Sequence, residues 1–380
     1  MSFSIRKPGV RHPALPKNSL GLTKRDYEGA MSTLCAGCGH DSVTAAIVQA
    51  FWELEVEPYR VAKLSGIGCS SKTPTYFLRE AHGFNSVHGR MPSMATGANA
   101  ANRDLIYIGI SGDGDSLSIG LGQLCHAIRR NVNLLYVLEN NGVYGLTKGQ
   151  FSASADVGSK SKRGVPNVQR PIDPVLLALT LGATFVARGF SGNKEHLVPL
   201  LKAGIAHDGF ALLDVISPCV TFNDHTGSTK SYRYTRDHAQ DVSPVDFVPI
   251  RRAIEVSGAG GSNGNGVSPS SGANGHAAPG SDAASGTGDE PMAVMMHDGS
   301  VVRFRNVPAG YDPTSRDGAY AHVRALQDRG EVAMGLLYID PELADMHEQN
   351  MTSLRPLTEV PYEELCPGSA ALDRLMESYR

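Results

Sequence analysis

Two groups of residues in this chain have the types and the spacing to do chemistry. The first is the turn Ser111-Gly112-Asp113-Gly114-Asp115-Ser116, which follows the apolar run Leu105–Ile110, taken with Glu139-Asn140-Asn141-Gly142-Val143-Tyr144, which follows Leu134–Leu138. An Asp on a Gly-rich strand-to-helix turn is placed to hold a hard cation that bridges two phosphates. The glycines let the backbone approach, and the helix N-terminus offers free N–H groups and the positive end of its dipole. Mg2+ takes oxygen ligands in near-octahedral geometry, which a carboxylate, an amide oxygen, a main-chain carbonyl and two diphosphate oxygens can provide. Asn141 follows Asp113 by 28 positions, enough for one helix and one strand, so both turns reach the same end of a sheet. Either half alone reads equally well as an ordinary βα turn or an Asn-Gly turn.

The second group is cysteines. Cys35-Ala36-Gly37-Cys38 sits in a Gly-containing loop before a helix, Cys69 ends Ser65-Gly66-Ile67-Gly68, and Cys219 follows the last strand of the alternating region. On spacing alone these four could be a zinc site, a redox pair or neither. Each lies beside a strand or helix end, where thiolates from distant parts of the chain can converge, and four thiolates suit zinc or a 4Fe-4S cluster. Cys125, in an apolar helical stripe, and Cys366, in the tail, read as structural. Six cysteines in 380 residues are too few for a disulfide scaffold.

The elements that position these residues alternate. Predicted strands are Arg60–Leu64, Leu105–Ile110, Leu134–Leu138, Thr184–Ala187 and Phe210–Ile216. Between them, helical spacing covers Val43–Leu54, then Leu117, Leu121, Leu124 and Ile128, then Val175–Leu181 with Asp173-Pro174 as N-cap and first residue, then Lys194–Ala206. Such alternation predicts an α/β fold with a mostly parallel sheet covered on both faces, whose ligands bind beyond the carboxyl ends of the strands. The expected organisation is an N-terminal arm over residues 1–32, lying on the domain or a partner, and a main domain over 33–256. A disordered linker is expected over 257–291, where residues 257–288 collapse to mainly Gly, Ser, Ala and Asn, and a C-terminal extension over 292–380. In that extension Val294–Arg303 reads as a hairpin turning at Asp298-Gly299, followed by helical pieces and an irregular tail from Asn350 that packs on the core or on another subunit.

Charge and hydropathy exclude several classes. A net charge of -3 with no basic block and one Trp argues against a nucleic-acid surface. No apolar run approaches the ~20 residues of a membrane span, and the basic, Pro-containing start lacks an apolar signal core, so a cytoplasmic protein is expected.

In its βαβ context, the Gly-Asp-Gly turn followed by Asn-Asn resembles the thiamine diphosphate-binding motif. A thiamine site beside four cysteines favours iron-sulfur over zinc, because a 2-oxo acid decarboxylated there can lose electrons one at a time to a nearby cluster. The sequence closely resembles the β subunits of the 2-oxoacid:ferredoxin oxidoreductases, in particular those acting on 2-oxoglutarate, from about Leu34 to His238 and again from about Met292. The segments that carry it are CAGCGH, SGIGCSSK, VHGRMPSMATG, GDGDSLSIG, ENNGVYGLTKGQ and SPCVTFN. The resemblance implies a thiamine diphosphate-binding fold. It implies a reversible conversion of 2-oxoglutarate and CoA to succinyl-CoA and CO2, with electrons passing through one 4Fe-4S cluster to ferredoxin. It implies that Cys35, Cys38, Cys69 and Cys219 ligate that cluster, and that Asp113, the Asn141 side chain and the Val143 carbonyl hold Mg2+. Ile67, Gly68, Cys69 and Ser70, then His88, Gly89 and Arg90, then Gly112, Gly114 and Asp115, then Tyr144, Gly145 and Leu146 would line the thiamine diphosphate. An α subunit is the implied partner, in an αβ or (αβ)2 assembly. Alternatives are a pyruvate or branched-chain member of the same family, or a non-redox thiamine enzyme with a structural zinc.

The departures narrow the reading. No CxxCxxCxxxC run is present, so further clusters belong to other chains, with a separate ferredoxin as acceptor. No Glu is clearly placed to protonate the aminopyrimidine ring, so the resemblance points to the α subunit for that carboxylate. His88 reads as a cofactor-positioning, catalytic or plain structural side chain, and Lys72 as a cation near cluster and diphosphate or a solvated lysine. Asp115 could be only an N-cap for a helix starting near Ser116. Lys148, in Leu146-Thr147-Lys148-Gly149-Gln150, is the candidate to pair the second carboxylate of 2-oxoglutarate, with Leu146 shaping the adjacent wall.

Overall fold

The computed structural model describes residues 5–8, 12–160, 164–250, 292–366 and 368–379. The expected linker over 257–291 lies outside the described residues. In chain order the elements are α1 (Gly39–Glu53), β1 (Val61–Ser65), β2 (His82–Asn85), α2 (Met91–Ala101), β3 (Ile106–Gly112), α3 (Leu121–Arg129) and β4 (Leu134–Asn140). A small ribbon of β5 (Val143–Tyr144) and β6 (Gln150–Phe151) comes next. After it lie α4 (Pro174–Leu181), β7 (Phe185–Phe190), α5 (Lys194–Ala206), β8 (Phe210–Ile216), α6 (Tyr232–His238), β9 (Ala239–Ser243) and β10 (Val245–Val248). The last segment supplies β11 (Ala293–Met295), β12 (Val301–Phe304), α7 (Arg316–Asp328) and β13 (Val332–Ile339).

Eight strands form one sheet in the order β2-β1-β3-β4-β8-β7-β13-β9. From β2 to β7 every pairing is parallel; β13 runs antiparallel to β7 and parallel to β9. The central strands β4 and β8 are buried along their whole length, as expected of strands covered on both faces. Side chains alternate between two cores. Leu135, Val137 and Leu213 join α1 and α5 on one face, and Leu134, Tyr136 and Leu212 join α2, α3, α4 and α7 on the other.

Local signals set several boundaries. Asp173 caps α4 by accepting the N–H groups of Val175 and Leu176 at 2.8 and 3.0 Å, with Pro174 in the first turn. The hairpin turns at Asp298-Gly299, with Val294 opposite Val302 and Gly299 at a φ of 77°. The arm is tied to α1, where Trp52 Nε1 donates to Leu22 O at 3.1 Å and Tyr27 is fully buried.

Three features depart from expectation. The stretch after Asp113 opens with a π-helical turn, Gly114–Ile119, so Asp115 lies inside that turn and caps no helix starting at Ser116. The segment after residue 292 does more than pack on the core: β13 is an almost wholly buried strand inside the main sheet. Its unbroken apolar run, Val-Ala-Met-Gly-Leu-Leu-Tyr-Ile, carries no alternation to separate strand from helix. Cys366, expected to be structural, is exposed, while Cys125 is half-buried on α3. Among the described residues no helix is long and apolar enough to cross a membrane.

His207 closes α5 onto β7. Its Nε2 contacts Thr184 Oγ1 at 2.7 Å and its ring lies against Phe185. Complete burial pushes its pKa down from 6.5 to about 3. Below pH 6.5 the unfolded chain therefore binds a proton that the folded chain refuses, so stability falls as pH drops, by roughly 2 kcal/mol between pH 7 and 5. Urea denaturation of His207→Gln should show a pH 7 to pH 5 difference smaller by about that amount; an unchanged difference would refute the assignment.

Candidate cofactor and cluster site

The site lies at the carboxyl ends of β1, β3, β4 and β8, where the loops carrying the motifs meet. One cavity there is lined by His40, Ile67, Gly68, Cys69, Ser70, His88, Gly112, Asp113, Gly114, Asp115, Asn141, Val143, Tyr144, Gly145, Leu146 and Thr147.

Asp113 is buried, and no ion pair among the described residues involves it. Its Oδ2 accepts from the hydroxyls of Ser152 and, at 2.6 Å, Ser154, and the Asn141 N–H approaches Oδ1 at 3.5 Å. Burial raises its pKa, and the two hydroxyls act in the opposite direction. A buried carboxylate without a cation is expensive, so this pocket fits a divalent metal. Asn141 Oδ1 accepts the Val143 N–H at 3.0 Å, which fixes the amide and leaves that oxygen a second lone pair.

Asp115 joins three loops. Its carboxylate accepts the Gly89 N–H at 2.7 Å, the Ser111 hydroxyl at 2.7 Å and the Ile67 N–H at 3.3 Å, and it pairs with His88 Nδ1. The carboxylate occupies the space beside Gly66, where a Cβ would lie 1.7 Å from its Oδ2. His88 is thereby held edge-on to Tyr144, whose hydroxyl donates to Gly114 O at 2.8 Å.

The four candidate cysteines come from three loops. The Cys35–Cys38 turn closes through the Cys38 N–H to Cys35 O at 3.0 Å and is tied to the end of β8 by the Gly39 N–H to Pro218 O at 3.2 Å. A Cβ on Gly145 would lie 3.4 Å from Cys69 Sγ and 3.7 Å from Cys219 Sγ, so both sulfurs flank a position with no side chain. Burial is the main force on the Cys38 thiol, pushed up to about 12, and on Cys69, which is also raised; neighbouring Cys219 and Glu139 add to both. Such thiols release their protons to a metal rather than to water. Among the described residues no three His, Cys, Asp or Glu side chains stand already gathered for a metal.

Several predicted residues stand apart from the cavity. Lys148 is exposed at a φ of 77°, one residue beyond the lining. Arg90 is exposed at the start of α2. Lys72 is half-buried and acts on Cys69 as a nearby positive charge. Other residues of the site had gone unread. His40 is buried against Ser217 Oγ at 2.6 Å, and Glu139 is held by Thr73 Oγ1 at 3.1 Å, with 3.5 Å between them. Burial drives both toward their neutral forms. The sequence signal for Ser152 and Ser154 was their spacing of two, which puts both hydroxyls on one side of an extended segment.

Residues 66–215 match the family described as "Thiamine pyrophosphate enzyme, C-terminal TPP binding domain". Over 234 residues the chain is 43% identical to the 2-oxoacid:ferredoxin oxidoreductase subunit beta of a Sulfolobus species, covering 59% of this chain and 76% of that protein. The chain belongs to this family of β subunits. It is also 40% identical over 220 residues to the 2-oxoglutarate oxidoreductase subunit KorB of Mycobacterium tuberculosis, covering 56% of this chain and 58% of that one. Its fold is similar to that of 2-oxoglutarate:ferredoxin oxidoreductase from Magnetococcus marinus, solved with 2-oxoglutarate, coenzyme A and succinyl-CoA bound. That match has a TM-score of 0.64 and 27% identity, over 88% of this chain and 92% of that one. The chain is thus an oxidoreductase subunit with a thiamine diphosphate-binding domain, and a β subunit implies an α partner.

Gly66→Ala should push Asp115 off its four partners. Melting temperature should fall by an amount corresponding to ~1–3 kcal/mol, with weaker thiamine diphosphate binding in calorimetry. Wild-type values for both would show that the loops are held another way.

Proposed function

We propose that this chain is the β subunit of a 2-oxoglutarate:ferredoxin oxidoreductase. The complex would convert 2-oxoglutarate, CoA and two oxidised ferredoxins to succinyl-CoA, CO2, a proton and two reduced ferredoxins, reversibly. The observation that carries the reading is that Cys69, Asp113 and Asn141 line one cavity, so a cluster ligand and the cation-binding turn share a wall. Asp113, the Asn141 side chain and the Val143 carbonyl would hold Mg2+ against the diphosphate, and Cys35, Cys38, Cys69 and Cys219 would hold one 4Fe-4S cluster. Bound thiamine diphosphate would supply the carbon chemistry that releases CO2, and the cluster a one-electron acceptor.

The chain's own residues then have distinct tasks. Asp115 fixes His88 and the loop from Ile67, the wall of the diphosphate pocket. Gly145 leaves room between the sulfurs of Cys69 and Cys219 and the cofactor. Lys72 lends positive charge to the thiolate end. The cavity lining contains no glutamate, and Glu139 lies behind it against Thr73, which supports a ring-protonating carboxylate from the α subunit.

The 2-oxoglutarate assignment is supported by the names of the Mycobacterium and Magnetococcus proteins. Lys148, one residue beyond the cavity lining, supplies a cation that would pair the second carboxylate of this substrate.

In the αβ complex, Cys219→Ser should lower bound iron and leave thiamine diphosphate binding in calorimetry largely intact. Asp113→Ala should do the reverse. Equal iron content in Cys219→Ser and wild type would remove Cys219 from the ligand set. Lys148→Met should raise KM for 2-oxoglutarate ~10- to 100-fold, the loss of a charged pairing worth ~1.5–3 kcal/mol, and change KM for 2-oxobutyrate little. Equal losses on both substrates would favour the pyruvate-type member of the family.

A further inference from the structure

A line of buried polar side chains runs away from Asp113, and none of it is explained by cofactor contact. Ser154 Oγ lies 2.6 Å from Asp113 Oδ2 and 2.9 Å from Asn140 Oδ1. Asn140 Nδ2 donates to Asp214 Oδ1 at 3.1 Å, and Asp214 Oδ2 accepts from Arg188 Nε at 2.7 Å. Arg188 Nη2 reaches Asp173 at 2.7 and 2.8 Å, and Asp173 is the cap of α4. Asp113, Asn140, Ser154, Arg188 and Asp214 are each at most 4% exposed.

The donors along this line do not balance freely. A serine hydroxyl has one proton, and Ser154 faces Asp113 at 2.6 Å and Asn140 at 2.9 Å, with the Ser152 hydroxyl, itself a donor to Asp113, farther off at 3.2 Å. Which one receives it depends on how the Asn140 amide is turned. An ionised Asp214 only accepts, so the NH2 of Asn140 must face it and the amide oxygen must face Ser154. Arg188 holds Asp214 in place from its other oxygen, and its positive charge opposes the upward push of burial on that carboxyl. The proton of Ser154 is therefore divided between Asn140 and Asp113. A hydrogen bond onto a carboxylate withdraws electron density that the carboxylate would otherwise offer to a cation.

We propose that Asn140, oriented by the Arg188–Asp214 pair, is a positioning residue that diverts the Ser154 proton from Asp113 and so keeps that carboxylate a strong ligand for the divalent cation. The inference rests on the reading of Asp113 as a Mg2+ ligand.

The test is a Mg2+ titration of the metal-stripped αβ complex, saturated with thiamine diphosphate, by isothermal calorimetry. Asn140→Leu removes the amide oxygen that competes with Asp113 for the Ser154 proton, leaving only the more distant Ser152 hydroxyl as a rival, and should raise the Mg2+ dissociation constant roughly ten-fold, the worth of one hydrogen bond to a charged group. In a Ser154→Ala background there is no proton to divert, so adding Asn140→Leu should change the constant less than about two-fold. A structural role would cost the same in both backgrounds, and that result overturns the proposal. Should Asn140→Leu fail to fold, Asp214→Asn tests the same point without loss of bulk. It lets the Asn140 amide turn its NH2 toward Ser154, sending the hydroxyl proton to Asp113, and it should weaken Mg2+ binding only when Ser154 is present. Asp113→Asn is the control: wild-type Mg2+ affinity there would overturn the ligand reading itself, whereas lost affinity there with additive Asn140 and Ser154 effects would overturn only the present inference.

Discussion

The site depends on one carboxylate accepting from four directions. Asp115 draws in the loop after β1 through Ile67, the loop after β2 through His88 and Gly89, and its own strand through Ser111. A parallel sheet delivers those loops to a common edge but does not fix their spacing, because each leaves its strand through an irregular turn. A buried carboxylate needs several donors, and the donors here come from two loops and a strand, so satisfying the charge also sets the distances between them. The close approach explains why residue 66 has no side chain.

Polar groups and apolar packing divide the sheet between them. Toward their amino ends β4 and β8 bury Leu134–Val137 and Phe210–Leu213 in the two cores, while their carboxyl ends carry Glu139, Asn140 and Asp214. The Arg188 guanidinium lies between Asp173 and Asp214, which lowers the pKa of Asp173 despite its burial. Buried pairs of this kind add little net stability, since desolvation offsets most of the Coulomb gain, but they admit only one arrangement of their members. That arrangement is what a site built from separate strands requires.

Much of this was legible in the sequence. The five core strands, the helices over Pro174–Leu181 and Lys194–Ala206, and the placement of Asp113, Asn141, Cys69 and Cys219 at strand ends followed from periodicity and turn chemistry. What escaped has physical reasons. The run Val332–Ile339 is apolar throughout, and Met91–Ala101 consists mostly of small residues, so neither shows a clear period. His40, Glu139, Ser152 and Ser154 matter through partners distant in sequence, such as Ser217 and Asp113, which no local pattern reveals. Asp115 reads from the sequence as lining the cofactor, with a helix cap as the alternative, and it lines the cavity; that it also ties the loops carrying Ile67, His88 and Gly89 depends on partners distant in sequence.

The position of β13 bears on how the chain comes to be folded. Until β13 is available, the β7 edge of the sheet has no partner, and β13 begins about 140 residues after β7 ends. During synthesis the six sheet neighbours from β2 to β7 can therefore assemble early, leaving an open, apolar edge for as long as the ribosome takes to reach Ile339. At ~5–20 residues per second that interval lasts on the order of ten seconds. An unpaired edge of this kind is a template for pairing with another chain, so the cell's chaperones, rather than the finished enzyme, would meet the most hazardous form of this sheet.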